Sequence, residues 1–301
     1  MSQLANKPML EKEKFVRFVR YKAQNTEGLA LQHNGEARGL LTTDAGFPGS
    51  LDTLIGGGLL ELERAAKALS SAPVIDLASL DRLPPVAAPE KVICVGLNYR
   101  DHSIESGFKQ PDYPTLFSRF NSSLIGDGAP LVRPKVSDQF DFEGELVAVI
   151  GKGGRRIPTA SALDHVIGYS IFNDVSVRDY QFKTPQWTVG KNFDDTGAFG
   201  PSLVTADELP AGCKGLQLQT RLNGKVVQSA STDDMVFDVA NLISIISEAI
   251  TLRSGDVIVA GTPSGVGMAR KPPLFMKAGD TVEVEVEKIG ILSNSIVEEA
   301  A

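Results

Sequence analysis

Residues 141–145 read Asp-Phe-Glu-Gly-Glu and run directly into the apolar stretch Leu146–Ile150. In a strand, side chains two apart point to one face. Glu143 and Glu145 would then project side by side at the mouth of a core strand. Two like charges held close repel, and burial adds to the cost. A divalent cation compensates for both, and all-oxygen ligation selects a hard ion, Mg²⁺, Mn²⁺ or Ca²⁺. Two solvated strand-edge glutamates are the plainer alternative. A third carboxylate, Asp174, stands where the apolar part of GYSIFNDVSVRDYQ ends, with Arg178 and Gln181 four and seven residues later. If this stretch turns helical, all three share one face. Asp174 would be the third ligand, and Arg178 and Gln181 would offer donors to a substrate anion. The alternative is an ordinary helix entry with a capping aspartate.

Three further segments could join that chemistry. Lys191 lies in VGKNFDDTGAFGP, where a lysine could polarise a carbonyl or bind a carboxylate. The segment GLNYRDHSIESG, residues 96–107, follows a short apolar run. One helical turn over 101–106 would make His102 and Glu105 neighbours. A carboxylate beside an imidazole orients it and raises its basicity, which suits a water-activating base. The flanking glycines would let the segment close as a lid, and a surface His–Glu pair is the alternative. AGTPSGVG, residues 260–267, has glycines that let backbone N–H groups approach an anion. It lacks the Walker lysine and the dinucleotide glycine spacing, so no nucleotide site is read there. GKGGRR at 151–156 reads as a solvated connection.

Composition limits the classes. The chain has 301 residues, 30 Lys plus Arg against 37 Asp plus Glu, a net charge of −7, three histidines and two cysteines. The acidic balance argues against nucleic-acid and anionic-membrane partners. Cys94 and Cys213 cannot make a disulfide framework or a Cys-rich zinc site, and a reducing, cytoplasmic compartment is expected. The N-terminus has charges where a signal peptide needs an apolar core. No apolar run approaches the roughly 18 residues of a membrane span.

The elements that must position these residues are short. Residues 15–21 alternate as a strand, and Asn34-Gly35 turns into another at 37–41. A helix over 50–69 is interrupted by Gly56-Gly57-Gly58. Residues 81–90 carry three prolines and read as a linker. Beyond it, strands are expected at 92–95, 145–150, 165–172, 216–222, 226–229, 257–260 and 281–286. Asn223-Gly224 is expected to make a tight hairpin, and 237–252 is the clearest helix. Many short strands and turns favour a β-rich α+β fold over a doubly wound one.

Taken in order, GLNYRDHSIESG, DFEGELVAVIG, GYSIFNDVSVRDYQ, VGKNFDDTGAFGP and AGTPSGVG resemble the fumarylacetoacetate hydrolase family over about Lys91 to Val297. The resemblance implies the family's mixed β-roll catalytic domain over 91–301. It also implies a small N-terminal α/β accessory domain over 1–80, joined by the 81–90 linker, and a homodimer. It implies Glu143, Glu145 and Asp174 as ligands for Mg²⁺ or Mn²⁺, with His102 and Glu105 as a lid dyad and Lys191 polarising the substrate. Arg178, Gln181 and Thr262 fall at substrate or oxyanion contacts, and Tyr99 and Arg119 join them as candidate substrate-binding residues. Many relatives have Phe-x-Lys where this chain has Phe117-Ser118-Arg119, a change of donor geometry toward the substrate's distal group. The implied activity is metal-dependent hydrolysis of a C–C bond in a small anionic 2,4-dioxo acid, by water attack and enolate departure. Decarboxylation of oxaloacetate or isomerisation of a dienoic acid on the same site is the first alternative. A silent metal- or ligand-binding protein is the second.

Overall fold

Turn chemistry builds the first part of the fold from local pieces. The computed structural model describes residues 16–107 and 109–300. β1 (Arg17–Ala23), β2 (Thr26–His33) and β3 (Glu36–Leu41) form an antiparallel meander. The β2–β3 turn is Asn34-Gly35, at φ 49° and 78°, the left-handed pair that a two-residue hairpin needs. Gln24-Asn25 makes the β1–β2 turn in the same region, at φ 47° and 68°. Phe15, expected to open the first strand, lies outside the described residues. The helix expected over 50–69 is two, α1 (Leu51–Gly57) and α2 (Leu59–Leu69). Gly58, at φ 81°, leaves the helical region between them.

The next segment is not a free connection. After β4 (Val74–Ile75), β5 (Asp81–Leu83) pairs with β1, and Val86 is buried in the core. Pro84 and Pro85 have no N–H to continue the pairing, but the Pro84 carbonyl accepts from Arg20 Nη1 at 2.7 Å. The Pro-rich stretch over 81–90 is therefore docked rather than loose.

The chain continues through β6 (Val92–Gly96), α3 (Arg100–Glu105), β7 (Thr115–Arg119), β8 (Leu124–Ile125), β9 (Leu131–Arg133) and β10 (Phe140–Asp141). Next come β11 (Gly144–Ile150), β12 (Val166–Asp174), β13 (Ser176–Val177), and the single turns α4 (Arg178–Gln181) and α5 (Thr188–Lys191). β14 (Gly197–Thr205), β15 (Gln217–Leu222), β16 (Lys225–Ser231), α6 (Val239–Ala249), β17 (Val257–Val259), β18 (Thr281–Val286) and β19 (Gly290–Glu298) complete it. The main sheet runs β4-β3-β2-β1-β14-β12-β11-β17-β6-β7, with β5 on β1 and β8 on β14. The N-terminal meander thus extends the main sheet through the β1–β14 pairing.

β11 and β12 are buried at every residue, so they read as continuous apolar runs rather than alternating ones. A second sheet, β16-β15-β18-β19-β9, alternates instead. Its inward Leu218, Val282 and Val284 share a core with Leu146, Ala148 and Ile171, and α6 adds Leu242, Ile243 and Ile246. The result is the β-rich α+β architecture expected. Among the described residues no helix is long and apolar enough to cross a membrane.

Phe18 on β1 faces Leu203 on β14 and is fully buried with Phe199 and Phe172. Phe18→Ala is expected to cost about 3–5 kcal/mol in denaturant unfolding, read as a lower midpoint of one transition for the whole chain. A separate early transition of the N-terminal part would contradict the shared sheet.

Candidate metal centre and active site

Register brings the carboxylates together. β11 and β12 are antiparallel neighbours with Gly144 opposite Asn173, so the start of one meets the end of the other. Glu143 precedes β11, Glu145 is its second residue, and Asp174 is the last of β12. One oxygen from each lies within 4.8 Å of the others, and all three residues are buried. The loop before β11 is tied down by Glu143 N–H donating to Asn173 Oδ1 (3.0 Å) and Asp174 N–H donating to the Glu143 carbonyl (2.8 Å). Gly144 separates the two glutamates because the second sheet lies against it. A Cβ there would sit 2.2 Å from Thr220 Oγ1.

Three cations answer these charges. Lys191 Nζ lies 2.6 Å from Glu143 Oε2 and 2.7 Å from Asp174 Oδ2. Arg178 reaches Glu143 Oε1 (2.7 Å) and Asp141 Oδ2 (2.8 Å). Arg119 Nε lies 2.5 Å from Asp174 Oδ1. Burial alone would push the Glu143 carboxyl up, but the Lys191 and Arg178 charges outweigh it and hold it at about 2. Burial would also deprotonate Lys191, and Asp174 with Glu143 keeps it above the ordinary lysine range. Glu145 has no cationic partner among the described residues. Only Gly261 N–H donates to it, at 2.5 Å. Burial, and then the Asp174 and Glu143 charges, push its carboxyl well above the usual range. Four buried carboxylates thus face three cations. Such an unmatched, oxygen-only donor set is suited to a hard divalent cation.

His102 and Glu105 meet as the spacing predicts. α3 places His102 Nδ1 2.9 Å from Glu105 Oε1. Both Glu105 oxygens also accept from Gly265 N–H, at 3.0 and 2.9 Å. With Nδ1–H assigned to that carboxylate, the Nε2 lone pair is the free basic atom. His102 lines a narrow cleft with Glu143, Glu145, Arg178, Gln181 and Lys191, walled by Phe117, Phe182 and Trp187. Gly96 makes room for that wall, since a Cβ there would lie 2.3 Å from the Trp187 ring. Arg178 Nη1 donates to Gln181 Oε1 (2.9 Å), which leaves the Gln181 amide N–H₂ as a donor. Arg178 Nη2 is buried and has no acceptor among the described residues.

The glycine loop over 260–267 does bind anions, and they are the chain's own carboxylates. Its N–H groups donate to Glu145, to Glu105 and, through Gly267 (2.8 Å) and Met268 (2.9 Å), to Asp141. Asp141 also holds Arg178 and so supports the cleft from behind. The sequence reading did not single it out, although it opens the same motif and period two puts it on the same face as the two glutamates.

Of the other expected substrate contacts, two stand outside the cleft and one is already engaged. Arg119 is behind Asp174 with no exposed side-chain surface. Its fork also spans the Val175 carbonyl, Ser123 and Thr196. Tyr99 is buried in the core and borders a different cavity, beside Met235 and Pro263. Thr262 lines the cleft, but its hydroxyl donates to the Gly144 carbonyl (3.0 Å) and accepts from Gln228 Nε2 (2.8 Å). It has no proton left for an oxyanion. Arg178 and Gln181 do meet, but Asp174 ends a strand and β13 intervenes, so no continuous helix carries all three.

Mg²⁺ or Mn²⁺ is expected to raise the melting temperature of the chelator-treated protein, by about 2.7 kcal/mol of added stability at a hundred times Kd. Glu145→Gln should unfold no lower than the wild type without metal and gain nothing from metal. An increment of wild-type size in that variant would remove Glu145 from the centre.

The wider comparisons agree with this geometry. Residues 91–297 match the model of the fumarylacetoacetate hydrolase C-terminal domain. A mitochondrial oxaloacetate tautomerase of Xenopus laevis is 41% identical over 273 residues, 90% of this chain and 85% of that protein. A human mitochondrial oxaloacetate tautomerase is 39% identical over 289 residues, 94% of this chain and 92% of that protein. The solved fumarylacetoacetate hydrolase of Exiguobacterium antarcticum superposes with a TM-score of 0.81 at 34% identity, covering 94% of this chain and all of that one. With the matched domain spanning the carboxylate cluster, the dyad and the glycine loop, the chain belongs to the fumarylacetoacetate hydrolase family.

Proposed function

We propose that the protein is an enzyme that interconverts the keto and enol forms of a small 2-oxo dicarboxylic acid, with oxaloacetate as the representative substrate. The observation that carries this reading is one free base, His102 Nε2, in a cleft where Arg178 and Gln181 offer donors to an anion. The similarity to oxaloacetate tautomerases over most of the chain supports the substrate class.

The chain's own residues divide the work. Arg178 Nη2, buried without an acceptor, and the Gln181 amide bind a substrate carboxylate. Lys191 keeps an ammonium at the floor of the cleft. His102 Nε2 takes the proton from the carbon beside the ketone. The imidazolium, steadied by Glu105, then gives a proton to the enolate oxygen. Phe117, Phe182 and Trp187 limit water around the reacting carbon. Glu143, Glu145 and Asp174 would hold a divalent cation, which supplies positive charge where the enolate develops.

Hydrolysis of a C–C bond in a 2,4-dioxo acid is the second reading, favoured by the likeness to a solved fumarylacetoacetate hydrolase. There the same Nε2 would take its proton from water. Glu105 is engaged through both oxygens, so it orients the imidazole and adds no second base in either reading. A homodimer belongs to the proposal as well, tested by light scattering for twice the mass of one chain.

With Mn²⁺ present, the protein is expected to speed oxaloacetate ketonisation without releasing CO₂, and to leave acetylpyruvate uncleaved. His102→Ala should bind metal normally and lose about 10²–10⁴-fold in rate. Acetate and pyruvate formed faster than ketonisation would transfer the proposal to hydrolysis. CO₂ release untouched by His102→Ala would indicate decarboxylation. No turnover of either substrate would leave a binding protein.

A further inference from the structure

Each carboxylate of the cluster has one oxygen already held by a protein donor. Glu143 Oε1 faces Arg178 Nη1 at 2.7 Å, Glu145 Oε2 faces Gly261 N–H at 2.5 Å, and Asp174 Oδ1 faces Arg119 Nε at 2.5 Å. Of the other three oxygens, Glu143 Oε2 and Asp174 Oδ2 meet Lys191 Nζ at 2.6 and 2.7 Å, so a cation bound through them and Glu145 Oε1 would share those two with the ammonium. Arg178 and Gly261 belong to the cleft and the glycine loop. Arg119 touches neither; it holds Asp174 Oδ1 while Lys191 meets Oδ2.

We propose that Arg119 is a positioning residue that makes Asp174 a one-oxygen ligand and thereby tunes the centre for a small octahedral dication over Ca²⁺. This rests on the metal reading of the carboxylate cluster. The guanidinium is fixed on every side. Nη1 meets Ser123 Oγ and Thr196 Oγ1, both at 3.3 Å, and Nη2 meets the Val175 carbonyl at 2.5 Å. The Phe172 ring lies under its centre at 5.5 Å. Gly197 leaves the necessary space, because a Cβ there would come within 2.5 Å of Nη1. So held, Arg119 prevents Asp174 from rotating to offer both oxygens. Ca²⁺ takes roughly six to eight oxygens and often binds carboxylates through both, whereas Mg²⁺ demands a near-ideal octahedron. Three rigid single-oxygen ligands fill half of an octahedron and leave the other half to water and substrate. A lysine at 119 could reach Asp174, but its point charge has no planar fork to span the other partners.

The test is calorimetric titration of the chelator-treated full chain with Mn²⁺, Mg²⁺ and Ca²⁺, separately and in competition. The wild type is expected to bind Mn²⁺ and Mg²⁺ at least about tenfold more tightly than Ca²⁺. Arg119→Lys, with circular dichroism confirming its fold, is expected to lose about 10–100-fold for Mn²⁺ and Mg²⁺ and to narrow the ratio to Ca²⁺. A folded Arg119→Lys with unchanged affinities and ratio would overturn the positioning role and leave the metal reading intact. Wild-type binding of Ca²⁺ as tight as that of Mg²⁺ would overturn it without any variant. A wild type that binds none of the three ions would overturn the metal reading, and this inference with it.

Discussion

Four buried carboxylates and three buried cations lie together, and the rest of the site is arranged around that charge. Taking one partner from a buried ion pair costs about 3–5 kcal/mol, because the other is left uncompensated. The fold therefore surrounds the group with fixed donors. β11 and β12 deliver the acids from adjacent strand ends, and β7, α4 and α5 deliver Arg119, Arg178 and Lys191. Glu145, which lacks a cation of its own, marks where positive charge is missing.

The glycine loop ties that charge to the base. Its amides hold Glu145, Glu105 and Asp141 within a few residues of one another. The imidazole orientation, Arg178 and the carboxylate cluster are thus fixed to one piece of backbone. Gly261 shows the requirement most directly. It sits at φ +100°, and a Cβ there would lie 2.6 Å from Asn98 Cβ.

Much of this was legible in the sequence. Period two placed Glu143 and Glu145 together, the apolar runs located β11 and β12, and the Asn-Gly pairs located two hairpins. What stayed hidden depends on contacts far apart in the chain. Arg119 finds Asp174 across 55 positions, and nothing in its neighbours shows that it faces inward. Thr262 stands beside the cleft, yet Gln228 and the Gly144 carbonyl have already engaged its hydroxyl. The prolines of 81–90 looked like a linker because composition does not reveal that Val86 inserts into the core. The five ordered motifs indicated the family, while the reaction depends on which proton His102 moves, a property of the bound substrate.

Anomalous diffraction from crystals of the Mn²⁺-loaded protein tests most directly where a dication sits and how it is held. One ion is expected in the cleft, bonded to a single oxygen each from Glu143, Glu145 and Asp174, with Asp174 Oδ1 still on Arg119. An ion bound elsewhere, or through both oxygens of Asp174 with Arg119 displaced, would contradict it.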